Sequence, residues 1–146
     1  MKVRTKKFSS IKRLMRESKR GHWRQVLIML NTCEWDSKSR ALVEILGMAV
    51  ADAELGVVER LIKMGVSIKR RISGIIPMQP LHLAVERGDV QMVMLLLSYG
   101  ASVDVRLWGL APVDYAIMNN DDKLIRVLNM DLKKDIKSKK SIPKSR

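Results

Sequence analysis

Between residues 80 and 101 the apolar positions change rhythm twice. Leu81, Leu83 and Ala84 gather on one helical face, and Arg87-Gly88-Asp89 then interrupts them. A second apolar run, Val90 to Leu97, follows and stops at Gly100. A Gly-centred break inside helical periodicity, with a Gly after the second run, predicts two short helices joined by a tight turn.

The pattern recurs. Pro80 and Pro112 lie 32 residues apart, as do Ala84 and Ala116. Ala111-Pro112-Val113-Asp114-Tyr115-Ala116 opens a further unit, Asn119-Asn120 supplies its turn, and Leu124 to Leu128 its second helix. Thirty-five residues upstream of the best copy, Gly65 falls on Gly100, Leu61-Ile62 on Leu96-Leu97, Val57-Val58 on Met92-Val93 and Ala49 on Ala84. In that copy Ile45 stands where Pro80 is, and Gly47 where His82 is. A weaker copy aligns Gly21-His22 with Gly88-Asp89 and Val26–Leu30 with Val93–Leu97. Its first helix, from Ser10 to Arg20, is basic and carries apolar residues only at Ile11, Leu14 and Met15, which suits the polar outer face of a terminal cap. The competing reading of residues 1–20 is a basic, transit-like amphipathic helix.

Gln79-Pro80-Leu81-His82-Leu83-Ala84 resembles the T-P-L-H-x-A opening of the ankyrin repeat, a helix–turn–helix unit of about 33 residues, with Gln in place of Thr. The resemblance implies an all-α, ankyrin-repeat solenoid of stacked helix-turn-helix units with hairpin-like finger loops. About four units are expected, at 10–33, 43–65, 79–101 and 111–131. Residues 1–9 read as a basic arm, and residues 132–146 as a basic, disordered tail with too few apolar residues to continue the stack.

Charge sharpens this division. The chain of 146 residues has a formal net charge of +13. Residues 1–20 hold nine Lys or Arg against one acid, and residues 132–146 hold seven against one, so the middle is close to neutral. The basic ends read either as solvated tails or as arms for a polyanion, nucleic acid or an acidic membrane surface, or as a nuclear address. No aromatic is interleaved with the tail cations for base stacking. The single cysteine, Cys33, excludes an intrachain disulfide and fits a reducing compartment. The expected location is the cytoplasm, or the nucleus if the basic ends act as an address. No apolar run approaches the length of a membrane span.

Little in the chain points to catalysis. No Gly-rich phosphate loop, H-E-x-x-H or G-x-S-x-G is present. Two histidines and one cysteine are too few for a common zinc site. His22 and His82 fall at repeat positions, and the resemblance makes His82 structural, a link between neighbouring repeats. Arg87-Gly88-Asp89 is read as a turn: Gly at the positive-φ corner and Asp as cap of the next helix. No enzyme activity, cofactor or metal is expected.

The linkers carry the candidate binding residues. In the ankyrin family they project as fingers which, with the first helices, form a concave binding surface. Finger one contains Trp35. Finger two runs Ser67-Ile68-Lys69-Arg70-Arg71-Ile72-Ser73-Gly74-Ile75-Ile76, and finger three contains Arg106 and Trp108. Trp and Arg are the side chains most enriched at binding hot spots. Trp35, Lys69, Arg70, Arg71, Arg106 and Trp108 are therefore the expected contacts to a protein partner with an acidic and apolar surface. Each Trp could instead fold back on its own hairpin, and Ile72, Ile75 and Ile76 either invite a partner or pack on a neighbouring repeat. A monomer is expected.

Overall fold

The structure, a computed structural model, describes residues 2–73 and 78–140. Among these, eight helices form four antiparallel pairs: α1 (Lys2–Lys19) with α2 (Trp23–Thr32), α3 (Arg40–Ala51) with α4 (Leu55–Lys63), α5 (Pro80–Glu86) with α6 (Val90–Ser98), and α7 (Pro112–Met118) with α8 (Asp122–Lys140). The odd-numbered helices pack on one another in series, α1 on α3, α3 on α5 and α5 on α7. The even-numbered helices do the same in a second layer. The result is the expected all-α solenoid, one helical hairpin per repeat.

The turn between paired helices has one solution used four times. Gly21, Ala53, Gly88 and Asn120 occupy equivalent corners, all at positive φ, 72°, 60°, 70° and 54°. Gly and Asn enter this region readily, whereas Ala does so against its own Cβ. The next residue caps the following helix where it can. Asp89 accepts from the Met92 N–H at 3.0 Å and Asp121 from the Leu124 N–H at 3.1 Å. Pro80 and Pro112 open α5 and α7, where no intrahelical N–H is required. Asp114 reaches back to accept from the Ala111 N–H at 2.7 Å.

The core is one continuous seam between the two layers. It runs from Leu14 and Val26 through Leu46, Val58, Leu81 and Val93 to Leu124 and Leu128. Polar ties join successive repeats. The Trp23 indole donates to Asp52 at 2.9 Å, and the Tyr99 hydroxyl donates to Glu59 at 2.8 Å. Glu59 also pairs with Lys63. The Tyr99 hydroxyl, helped by Lys63, holds the Glu59 carboxyl below its ordinary value.

Both ends differ from the expected boundaries. α1 begins at Lys2, not at Ser10, so the segment read as a basic arm is helical from its second residue. Residues 2–19 contain no Gly or Pro to stop a helix. α8 likewise runs on to Lys140, through most of the segment read as a disordered tail. Gly65 and Gly100 follow the ends of α4 and α6, whereas Leu132 holds the position equivalent to Gly100 and the helix continues. The rest of that expected tail, residues 141–146, lies outside the described residues.

Candidate functional site: the finger-bearing face

The fingers are anchored to the odd-numbered helices. Finger two closes on itself where the Ile72 N–H donates to the Met78 carbonyl at 2.9 Å. It is tied down on both sides. The Ser73 N–H donates to Glu44 of α3 at 3.1 Å, and the Arg40 guanidinium contacts both Glu44, at 2.9 Å, and the Ser73 hydroxyl. Arg70 donates to the Lys38 carbonyl of finger one at 3.0 Å, and Gln79 to the Lys69 carbonyl at 2.7 Å. Ile72 lies directly over Gly47, and a Cβ there would stand 2.4 Å from its Cγ2. Ile72 therefore packs on α3 rather than standing free, while Ile75 and Ile76 fall outside the described residues. Between α1, α3 and finger two lies an open groove of about 520 Å³, with Met15, Gly47, Met48 and Ala51 along it and Lys19 and Arg40 at its edge.

Finger three is a tight hairpin. Leu107 and Leu110 exchange backbone hydrogen bonds of 2.9 and 3.0 Å, and Trp108 and Gly109 between them have φ of 52° and 83°. Two central residues at positive φ are the signature of a type I′ turn, which favours Asn-Gly. Here a Trp takes the first place, and the residue is 73% exposed. Leu107 anchors the base in the core, and the Tyr115 hydroxyl donates to its carbonyl at 3.4 Å.

His82 of α5 sits beneath finger three. It is buried and meets Tyr115 edge-on, ring centroids 5.7 Å apart. Its nitrogens face the backbone of Leu110 and Val105 without closing a hydrogen bond of ordinary geometry. Burial pushes its pKa down, those carbonyls act against the shift, and the nearby Arg71 charge reinforces it. The ring is neutral near pH 7 and wedges finger three against α5.

The six expected contact residues separate into two groups. Trp35 is half-buried, its indole donating to the Met29 carbonyl at 3.1 Å, so it seals the end of α2. Arg70 joins two fingers, and Arg106 donates to the Gly109 carbonyl of its own hairpin at 2.7 Å. These three serve the fingers. Arg70 and Arg106 are exposed even so, as are Lys69, Arg71 and Trp108, for whose side chains no such tie is seen among the described residues. The groove along α1 and α3 is an element that the finger residues alone did not reveal. Its one sequence signal is Gly47 in the position of His82. No cluster of His, Cys, Asp or Glu able to hold a metal occurs among the described residues, and none of their helices is long and apolar enough to cross a membrane.

A family model described as ankyrin repeats, in three copies, matches residues 45–140, more than half of the chain. The chain belongs to the ankyrin repeat family. Ankyrin repeats serve in general as protein–protein interaction modules, and the family is generally non-catalytic. The ankyrin match begins inside α3, and the α1–α2 hairpin precedes it as a further stacked unit. The chain is also similar to the fowlpox virus (strain NVSL) protein FPV244, named for its ankyrin repeats. The two are 31% identical over 93 residues, 63% of this chain and 14% of the relative. The chain thus spans about a seventh of that relative's length.

Proposed function

We propose that the protein is a non-catalytic binding module, an adaptor, inhibitor or mimic of another ankyrin protein. It holds a partner protein against fingers two and three and the groove along α1 and α3. Trp108 carries this reading. A bulky residue at positive φ is a backbone outlier. Strained residues of this kind concentrate at binding and catalytic sites. At this hairpin tip Gly or Asn would be better accommodated, and the large apolar side chain is left in water. The backbone strain costs stability in the free protein, the exposed indole contributes none, and a partner pocket that takes up the indole offsets the cost. Lys69 and Arg71 set the electrostatic complement: an acidic group on the partner, beside an apolar socket for Trp108.

The test is affinity capture with the full chain and with a Lys69→Glu, Arg71→Glu, Trp108→Gly variant. A discrete protein retained by the parent and lost by the variant supports the module. Equal capture by both, with recovered nucleic acid or lipid released by salt, assigns binding to the basic ends and overturns it.

A further inference from the structure

The odd-numbered helices carry the fingers, and the even-numbered helices form the other layer of the stack. Along that second layer Met94 of α6 is equivalent to Glu59 of α4, 35 residues before it, and to Arg126 of α8, 32 residues after it. Met130 of α8 is equivalent to Ser98 of α6 and to Lys63 of α4. In α2 the same two positions hold a half-buried Leu27 and an exposed Asn31. Polar residues thus satisfy both positions in neighbouring repeats, and stacking does not require a thioether there. Yet Met94 and Met130, 56% and 63% exposed, face a single groove of about 410 Å³ between α6 and α8, with half-buried Leu97 and Val127 lining it beside them. Flexible, polarizable methionine is over-used at adaptable binding surfaces.

Charge says what the groove would hold. Ser98, the equivalent of Met130, is the last residue of α6, so α8 overhangs α6 beyond Met130. α6 has no charged residue, whereas α8 holds seven Lys or Arg against three Asp. Lys133, Lys134 and Lys137 are exposed on the overhang, and Lys137 lies about 10 Å along the helix axis from Met130. An apolar half and a cationic half therefore follow one another along α8. We infer that this groove docks an amphipathic helix of a partner protein, which lays an apolar stripe on Met94, Leu97, Val127 and Met130 and acidic side chains against Lys133, Lys134 and Lys137. A groove between neighbouring helices suits a helix laid along it. An anionic membrane suits it less, because the Asp131 carboxylate lines the same groove. A second copy does not supply the occupant: among the described helices only α5 and α7 have an excess of acid, one residue each, and both are packed in the odd-numbered layer. The site is independent of the finger face.

The probe is a fluorescein-labelled peptide of about 18 residues, roughly five helical turns, with leucines in an i, i+3, i+4, i+7 stripe and glutamates gathered toward one end. A control peptide has the same composition in scrambled order. Both are titrated with the full chain by fluorescence anisotropy. The patterned peptide is expected to bind at least about tenfold more tightly than the control. Met94→Arg with Met130→Lys installs the residue types that Arg126 and Lys63 supply in other repeats. It is expected to leave the urea midpoint unchanged and to weaken the patterned peptide by about tenfold or more. The same change adds positive charge, so binding by charge alone would be strengthened by it. Lys133→Gln with Lys134→Gln and Lys137→Gln is expected to weaken the patterned peptide as well. No binding of the patterned peptide, equal affinity for the two peptides, or undiminished affinity in either variant overturns the inference. Binding to vesicles of phosphatidylserine and phosphatidylcholine that Met94→Arg with Met130→Lys abolishes assigns the groove to a membrane and also overturns it.

Discussion

Ile72 covers Gly47 so closely that its Cγ2 stands 2.4 Å from where a Cβ would be. The contact joins a finger to the middle of α3 and closes one side of the groove. Gly in a helix interior costs roughly 0.5–1 kcal/mol relative to Ala, so Gly47→Ala would ordinarily stabilise α3. Here overpacking, typically about 1–3 kcal/mol, outweighs that gain. The predicted result is a loss of about 1–2 kcal/mol in urea unfolding, the difference of the two effects. In an Ile72→Ala background the same substitution is expected to stabilise. A cycle without this change of sign contradicts the contact.

Ala53 gives the opposite expectation. It is exposed and holds a positive-φ corner at 60° that Gly21 and Gly88 occupy elsewhere. The left-handed conformation costs an L-residue roughly 1–2 kcal/mol, partly offset by the entropy Gly loses on folding. Ala53→Gly should raise stability by about 0.5–1 kcal/mol. A lowered urea midpoint would show that the corner is not strained.

His82 makes stability depend on pH. Its folded pKa lies below the ordinary value because burial disfavours the imidazolium. As pH falls, the unfolded chain takes up the proton first. Above the ordinary histidine pKa of about 6.5 this group adds no pH dependence. From there down toward the folded value it removes stability. His82→Gln is expected to be less stable than the parent at about pH 7.5 but to lose less on going to about pH 5.5. Parallel losses in the two proteins would rule out the linkage.

The sequence carried the repeat grammar well because it is local. Pro80 and Pro112 start helices, Gly88 and Asn120 turn corners, and Asp89 caps α6, each through neighbours a few residues away. The helical course of residues 2–9 and 132–140 is hidden by their basic composition, although neither segment holds a Gly or Pro to stop a helix. The fates of Trp35 and Arg70 were illegible for a different reason. Their partners, the Met29 and Lys38 carbonyls, are backbone atoms with no sequence signature, and only the folded fingers bring them near. Gly47 was visible as a departure from His, but its cause, Ile72, lies on another finger.

The proposed role of Trp108 is tested most directly by the affinity of Trp108→Gly for the partner captured by the parent, beside its urea midpoint. The turn favours Gly, so the variant should fold at least as stably as the parent. Its dissociation constant should be weaker by about tenfold or more, the loss of about 1.4 kcal/mol expected of a hot-spot aromatic. Parent-like affinity in a well-folded variant would contradict the account and leave the exposed, strained Trp108 without a binding role.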